Sequence, residues 1–136
     1  MAIFDLSRID STRKNITAEL CVVGGGIAGL LLASRIARAG RRVIVIESGR
    51  EHFDQNIHEM NAVEDVSARY ARELTGRYRG LGGSSSRWGG RMIPIGSWDT
   101  GQRSHIGMPA WPVDMARLDC FSDEIERLFG LSNGSF

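Results

Sequence analysis

The chain has 136 residues, 42% of them apolar and 24% charged, with a formal charge of +1. Those proportions suit one soluble globular domain and exclude a disordered tail, a fibrous repeat and a membrane bundle. The near-neutral charge makes no case for nucleic acid or anionic lipid as partners, and no apolar run nears the roughly 18 residues that span a bilayer.

Met1 to Thr17 is mixed and polar, and reads as a lead-in laid over the surface. Asp5 and Asp10 interrupt it before any secretory apolar core can form, so the expected location is the cytoplasm. Glu19–Val23 is a short β-branched run closing on three glycines, which predicts a buried strand. Ile27, Leu30, Leu31, Ser34 and Ala37 then follow helical spacing, with Arg35 and Arg38 outward. Gly40 is placed to end that helix in the left-handed conformation. Val43–Glu47 is a second apolar strand. Strand, helix and strand in so few residues predict a βαβ unit, and hence an α/β fold with two parallel neighbouring strands.

After Ser48-Gly49-Arg50 the text becomes polar through Asn61, which suggests a surface excursion. Val63–Thr75 predicts a helix with Val66, Tyr70 and Leu74 on one face. Gly80–Gly90 is a glycine- and serine-rich loop holding Trp88, and Arg91–Ile95 can form a short strand stopped by Gly96. Ser97–Pro112 has no period, yet carries Trp98, His105 and Trp111. Asp114 can N-cap a final helical stretch whose apolar positions are Met115, Leu118, Phe121, Ile125, Leu128 and Phe129. Cys21 and Cys120 lack metal-ligand spacing, and read as buried small hydrophobes in a reducing compartment; no metal site is expected.

Gly24-Gly25-Gly26-Ile27-Ala28-Gly29 matches G-x-G-x-x-G, a weak pattern that its context strengthens. A strand precedes it, a helix opens inside it, and an acid ends the next strand. Gly24 permits the tight turn, and Gly26 removes a side chain where a pyrophosphate approaches the backbone. Gly29 lets the helix lie close on the strand, and the helix N-terminus offers N–H groups and positive dipole to phosphate. Glu47 can accept hydrogen bonds from the ribose hydroxyls of an adenosine, with Ser48 beside it, and would repel a 2′-phosphate. The unit predicts a dinucleotide cofactor without choosing between NAD and FAD.

The second glycine run, from Arg79 to Arg91, holds a tryptophan and is bracketed by three arginines, unlike a flexible linker. Its composition suits a loop whose backbone donors and hydroxyls wrap a flat polar ring and a diphosphate. Together, Cys21–Gly49 and Arg79–Arg91 resemble the glucose–methanol–choline family of FAD-dependent oxidoreductases. The pairing of Gly82-Gly83-Ser84-Ser85 with Trp88-Gly89-Gly90 is nearest its pyranose-oxidase-like branch.

The resemblance implies a Rossmann-like FAD-binding fold, incomplete in this chain. Gly24, Gly26 and Gly29 would face the FAD pyrophosphate and Glu47 the adenosine ribose. Gly82, Gly83, Ser84 and Ser85 would line the region between diphosphate and isoalloxazine. In some relatives the position of Arg87 is a histidine bonded covalently to the flavin; arginine cannot form that link, so non-covalent FAD is expected. Where other relatives have an asparagine near the reactive ring face, this chain has Trp88, which leaves the substrate class open.

The implied reaction is hydride transfer from a small-molecule alcohol or sugar to FAD, with the electron acceptor open. The family's catalytic histidine lies near the C-terminus of much longer chains, so the catalytic base and substrate domain are expected outside these residues. His52 and His58 read as solvated, whereas His105 could touch substrate or cofactor. The alternatives are another two-dinucleotide flavoprotein, of the hydroxylase or disulfide reductase type, and a non-catalytic nucleotide-binding module.

Overall fold

The first strand is tied to the second from its opening residue. Glu19 N–H donates to the Arg42 carbonyl (3.0 Å), and its carboxylate accepts the Arg42 N–H (2.8 Å) while lying 3.3 Å from the Arg41 guanidinium. The computed structural model describes residues 2–9, 15–64 and 74–131. Beyond Glu19, β1 (Leu20–Val23) and β2 (Val43–Ile46) pair in parallel, with Leu20 opposite Val43 and Val23 opposite Ile46. Between them α1 (Ile27–Arg38) crosses over and packs on both strands. This is the predicted α/β, Rossmann-like unit.

The helix ends where expected. Gly40 adopts φ +78°, its N–H donates to the Ala37 carbonyl, and the Arg41 N–H reaches back to Ile36 (3.2 Å). That pair of bonds satisfies carbonyls that the last helical turn leaves open. The inner face differs from the sequence pattern. Gly29, Leu30, Ala33 and Ile36 turn inward, whereas Ser34 and Ala37 are exposed. Small residues at 29 and 33 let the helix axis come close to the sheet, and this outweighs the wider apolar stripe. Ala33, 6% exposed, is the one buried apolar side chain among the described residues.

Both strands are more open than predicted. Only Val22 of β1 is even half-buried, and Val23 is 83% exposed. Parallel strands are normally covered on both faces; here, among the described residues, two strands form the sheet and α1 covers one face. The same openness corrects the reading of the cysteines: Cys21, on β1, and Cys120 are both free and exposed.

Contacts divide the chain into two compact units, Met1–Gly89 and Gly90–Phe136. In the first, the polar stretch after β2 contains α2 (Gln55–Glu59), capped by the Asp54 carboxylate through the Ile57 N–H (3.2 Å). The helix predicted over Val63–Thr75 lies mostly outside the described residues. In the second unit Arg91–Ile95 is not a strand, because no neighbour pairs with it and Ile93 stays 79% exposed. The segment without period folds into α3 (Ser97–Thr100) and a 3-10 turn at Ser104–Ile106, the latter closed by a two-way bridge between Arg103 and Met108.

The last predicted helix is two, α4 (Ala116–Asp119) and α5 (Ser122–Phe129), interrupted at Cys120 and Phe121. Asp114 accepts the Ala116 N–H (3.0 Å), although Met115 occupies the cap position. No helix among the described residues is long and apolar enough to cross a membrane.

Candidate functional site

The first glycine run begins where β1 ends. Gly24 adopts φ +103°, a left-handed turn that L side chains resist, and its N–H still donates to the Ile46 carbonyl (2.7 Å). A Cβ on Gly29 would run into the Gly24 carbonyl and lie 3.3 Å from the Val22 side chain. Only glycine lets helix and strand approach this closely. Gly26 caps α1 without a side-chain hydrogen bond, and no acidic residue sits in the first helical turn. The N–H groups there remain available, at the positive end of the helix.

The second glycine run docks directly against the first. Gly82 N–H donates to the Gly25 carbonyl (2.8 Å), Gly26 and Gly82 form a parallel bridge, and Leu81 N–H donates to the Arg50 carbonyl (3.0 Å). Between the runs lies an open groove of about 400 Å³. Gly24, Gly26, Ile27, Ala28 and Gly29 line one side with Val23; Gly82, Ser84 and Ser85 line the other. Among the described residues, no charged side chain lines it. A Cβ on Gly26 would meet no protein atom within 4 Å, so the space at this glycine is open.

The remaining predicted residues stand beside the groove. Gly25 is buried, and joins the runs through its carbonyl. Gly83 opens the 3-10 turn Gly83–Ser86, with its Cβ direction against the Gly26 Cα at 3.0 Å. Within that turn the Ser85 hydroxyl donates to the Gly82 carbonyl and the Ser86 hydroxyl to the Gly83 carbonyl, each at 2.7 Å. Ser84 Oγ accepts the Tyr78 N–H (3.0 Å), which leaves its own proton to be given elsewhere.

Glu47 joins β2 to the first glycine run. Its Oε2 accepts the Gly25 N–H (2.7 Å), and its Oε1 accepts the Gly49 N–H (2.8 Å) and the Ser48 hydroxyl (3.3 Å). Partial burial, the largest single influence, pushes its pKa up. The bonds from Gly49, Gly25 and Ser48 together outweigh that and hold the carboxyl below its usual value. An ionised carboxylate with a spare lone pair therefore stands at the tip of β2.

Sequence reasoning missed a supporting network. Arg79 Nε donates to Asn61 Oδ1 (2.8 Å), Nη1 to Ser48 Oγ (3.0 Å) and Nη2 to the Met60 carbonyl (3.5 Å). It thereby ties the start of the second run to the Glu47 corner. Arginine at 79 stood out only as a bracket of the loop, and nothing in the polar stretch marked Asn61. Val23 was also missed, although the residue before a glycine fingerprint is a natural wall.

Among the histidines, His52 is exposed as expected. His58 is not solvated: its ring packs against Phe53 at 5.3 Å, and its Nδ1 is buried without a hydrogen-bond partner. His105 is exposed on the Ser104–Ile106 turn of the second unit.

Comparison with known proteins agrees with this geometry. The family described as an NAD(P)-binding Rossmann-like domain matches residues 22–71. The chain is 33% identical over 84 residues to gamma-glutamylputrescine oxidoreductase of Escherichia coli, covering 62% of this chain and 19% of that protein. It is 32% identical over 75 residues to a Pseudomonas aeruginosa protein named as an FAD-dependent oxidoreductase, covering 54% of this chain and 19% of the other. A protein of Acanthamoeba polyphaga mimivirus named for the GMC-type oxidoreductases is 35% identical over 48 residues, covering 35% of this chain and 7% of its own length. The chain thus spans a fifth or less of each of these relatives. No solved structure matches it. Strand, glycine turn, helix and terminal acid give residues 20–47 a Rossmann-like fold, similar to the NAD(P)-binding Rossmann-like domain and to part of the oxidoreductases named above.

Proposed function

We propose that the groove holds FAD without a covalent bond, and that the whole protein is a GMC-type oxidoreductase acting on a CH–OH donor, an alcohol or sugar. The observation that carries this reading is the docking of Gly82 on Gly25 and Gly26, which makes the second glycine run a wall of the dinucleotide groove. The first run with its acid fits NAD and FAD alike, and the resemblance of the second run to a flavoprotein loop is what favours FAD. Gly24, Gly26 and Gly29 with the α1 N-terminus would hold the diphosphate, Glu47 the ribose, and Gly82, Ser84 and Ser85 the stretch toward the flavin. The cofactor supplies the hydride acceptor, and the residues of this chain bind and orient it. The resemblance of Arg79–Arg91 to the glucose–methanol–choline family and the mimivirus relative support the CH–OH donor.

The similarity to gamma-glutamylputrescine oxidoreductase favours a second reading, in which the donor is an amine conjugate. Titrating the purified chain with FAD and following flavin fluorescence tests the cofactor. Saturable quenching that NADP does not reverse is expected; absence of quenching overturns the reading. After acid precipitation the flavin is expected wholly in the supernatant, and a yellow pellet refutes non-covalent attachment. In the complete protein, anaerobic bleaching of the flavin by sugars or alcohols but not by amines decides the donor. The opposite pattern establishes the second reading.

A further inference from the structure

Tyr78 and Arg87 close the second glycine run on itself. Tyr78 N–H donates to Ser84 Oγ (3.0 Å), and Arg87 N–H donates to the Ser84 carbonyl (3.1 Å), so both flanks of the loop fasten on one groove-lining serine. The side chains then meet. The Arg87 guanidinium lies over the Tyr78 ring, 4.5 Å from its centroid, and 5.2 Å from that of Phe53. Phe53 comes from the segment before α2 and stacks on Tyr78 with centroids 6.1 Å apart and planes within 14°. His58 packs beside both rings, at 5.3 and 6.5 Å. Three aromatic side chains from one stretch of chain and from the loop base thus form a seat, and a cation from the far end of the loop sits on it.

We infer that Arg87, seated on Tyr78 and Phe53, is a positioning residue for the cofactor groove: it clasps the loop from 78 to 87 so that Ser84 and Ser85 keep their place in the wall. The inference rests on the FAD reading above and extends it. A solvated arginine with no task would not need two stacked rings beneath it. An attraction between a guanidinium and an aromatic face at an exposed site corresponds to a change of about two- to fivefold in affinity when it organises a binding loop. The clasp acts on the wall formed by the second run. A ligand ending at the diphosphate and held by the first run is therefore insensitive to it.

The test titrates FAD and, separately, ADP into the unaltered chain and into Arg87→Gln, Arg87→Lys, Tyr78→Leu and the Arg87→Gln/Tyr78→Leu double variant. Arg87→Gln and Tyr78→Leu are each expected to weaken FAD about two- to fivefold while the affinity for ADP is unchanged. Arg87→Lys, which keeps a cation over the ring, is expected to recover most of the loss, and the double variant to be no worse than the poorer single one. Full FAD affinity in Arg87→Gln overturns the clasp, as does equal loss of FAD and ADP, or a lysine variant as weak as the glutamine one. Failure of the unaltered chain to bind FAD is a separate result, and overturns the FAD reading together with the clasp.

Discussion

Residues 24–29 and residues 80–86 wall the same groove, yet different kinds of structure hold them. The first run is a turn between regular elements: β1 leads into it, α1 leaves it, and the Gly24 N–H is still part of the strand pairing. The second run has no strand or α-helix at either end. Beyond the main-chain bonds of Leu81 and Gly82, side chains hold it, through Arg79 on Asn61 and Ser48 and through Arg87 on Tyr78. Main-chain geometry tolerates almost no change of shape at a close approach, whereas a clasp of side chains loses its hold by degrees. Substitutions in the first run should therefore act sharply and through folding, and those in the second gradually and through binding.

The largest effect is expected at Gly29. A Cβ there meets the Gly24 carbonyl, and because neither partner is a flexible side chain, Gly29→Ala is expected to destabilise the first unit by about 3 kcal/mol. Urea unfolding followed by circular dichroism reads this directly, and an unchanged midpoint would show that α1 can draw back from β1. Next comes Glu47→Ala, which strips an acceptor from the Gly25 and Gly49 N–H groups and, on the FAD reading, from the ribose. FAD affinity is expected to fall by about one to two powers of ten, from roughly 1.5–3 kcal/mol for hydrogen bonds to a charged group. A dissociation constant within twofold of the unaltered value would remove Glu47 from the site.

Arg79→Ala should act more gently, lowering stability by about 1 kcal/mol, since part of its network is exposed to water. If it instead abolished folding, the second run would be as rigid as the first and the contrast would fail. The smallest effect is in pH. Glu47 has its folded-state pKa held below the usual 4.5, so its contribution is complete above that value and is lost as the pH falls through the folded one. Acid unfolding of Glu47→Gln is expected to be shallower than that of the unaltered chain below about pH 4.5. Identical curves would assign the acid sensitivity to other carboxylates.

The first run was legible in the sequence because everything that defines it is local. Glycines at 24 and 29, the apolar runs on either side and the acid at 47 are signals of chain direction and period, and the structure follows them to within a residue or two. The Gly40 helix end was legible for the same reason. The docking of Gly82 on Gly25 was not, because it joins distant parts of the chain and leaves no period behind. Arg91–Ile95 shows the converse failure: its composition favours a strand, but a strand also needs a neighbour to receive its hydrogen bonds. At Cys120 and Phe121 the apolar spacing runs on unbroken while the helix does not. Periodicity records which side of a segment is apolar, and says little about whether the backbone stays continuous beneath it.

The bridge between Gly26 and Gly82 also makes any ligand of the groove a cross-link. Bringing those two glycines together closes a long loop, whose entropic cost grows only slowly with length but must be met before the groove exists. A dinucleotide seated against both walls binds the closed form and not the open one. At a concentration 100 times its dissociation constant it adds about 2.7 kcal/mol to the stability of the folded chain. Folded domains are ordinarily stable by only about 5–15 kcal/mol, so that addition is a large share of such a total. The melting temperature of this protein should then climb with ligand concentration, and any dinucleotide in the groove becomes a structural member of the fold it occupies.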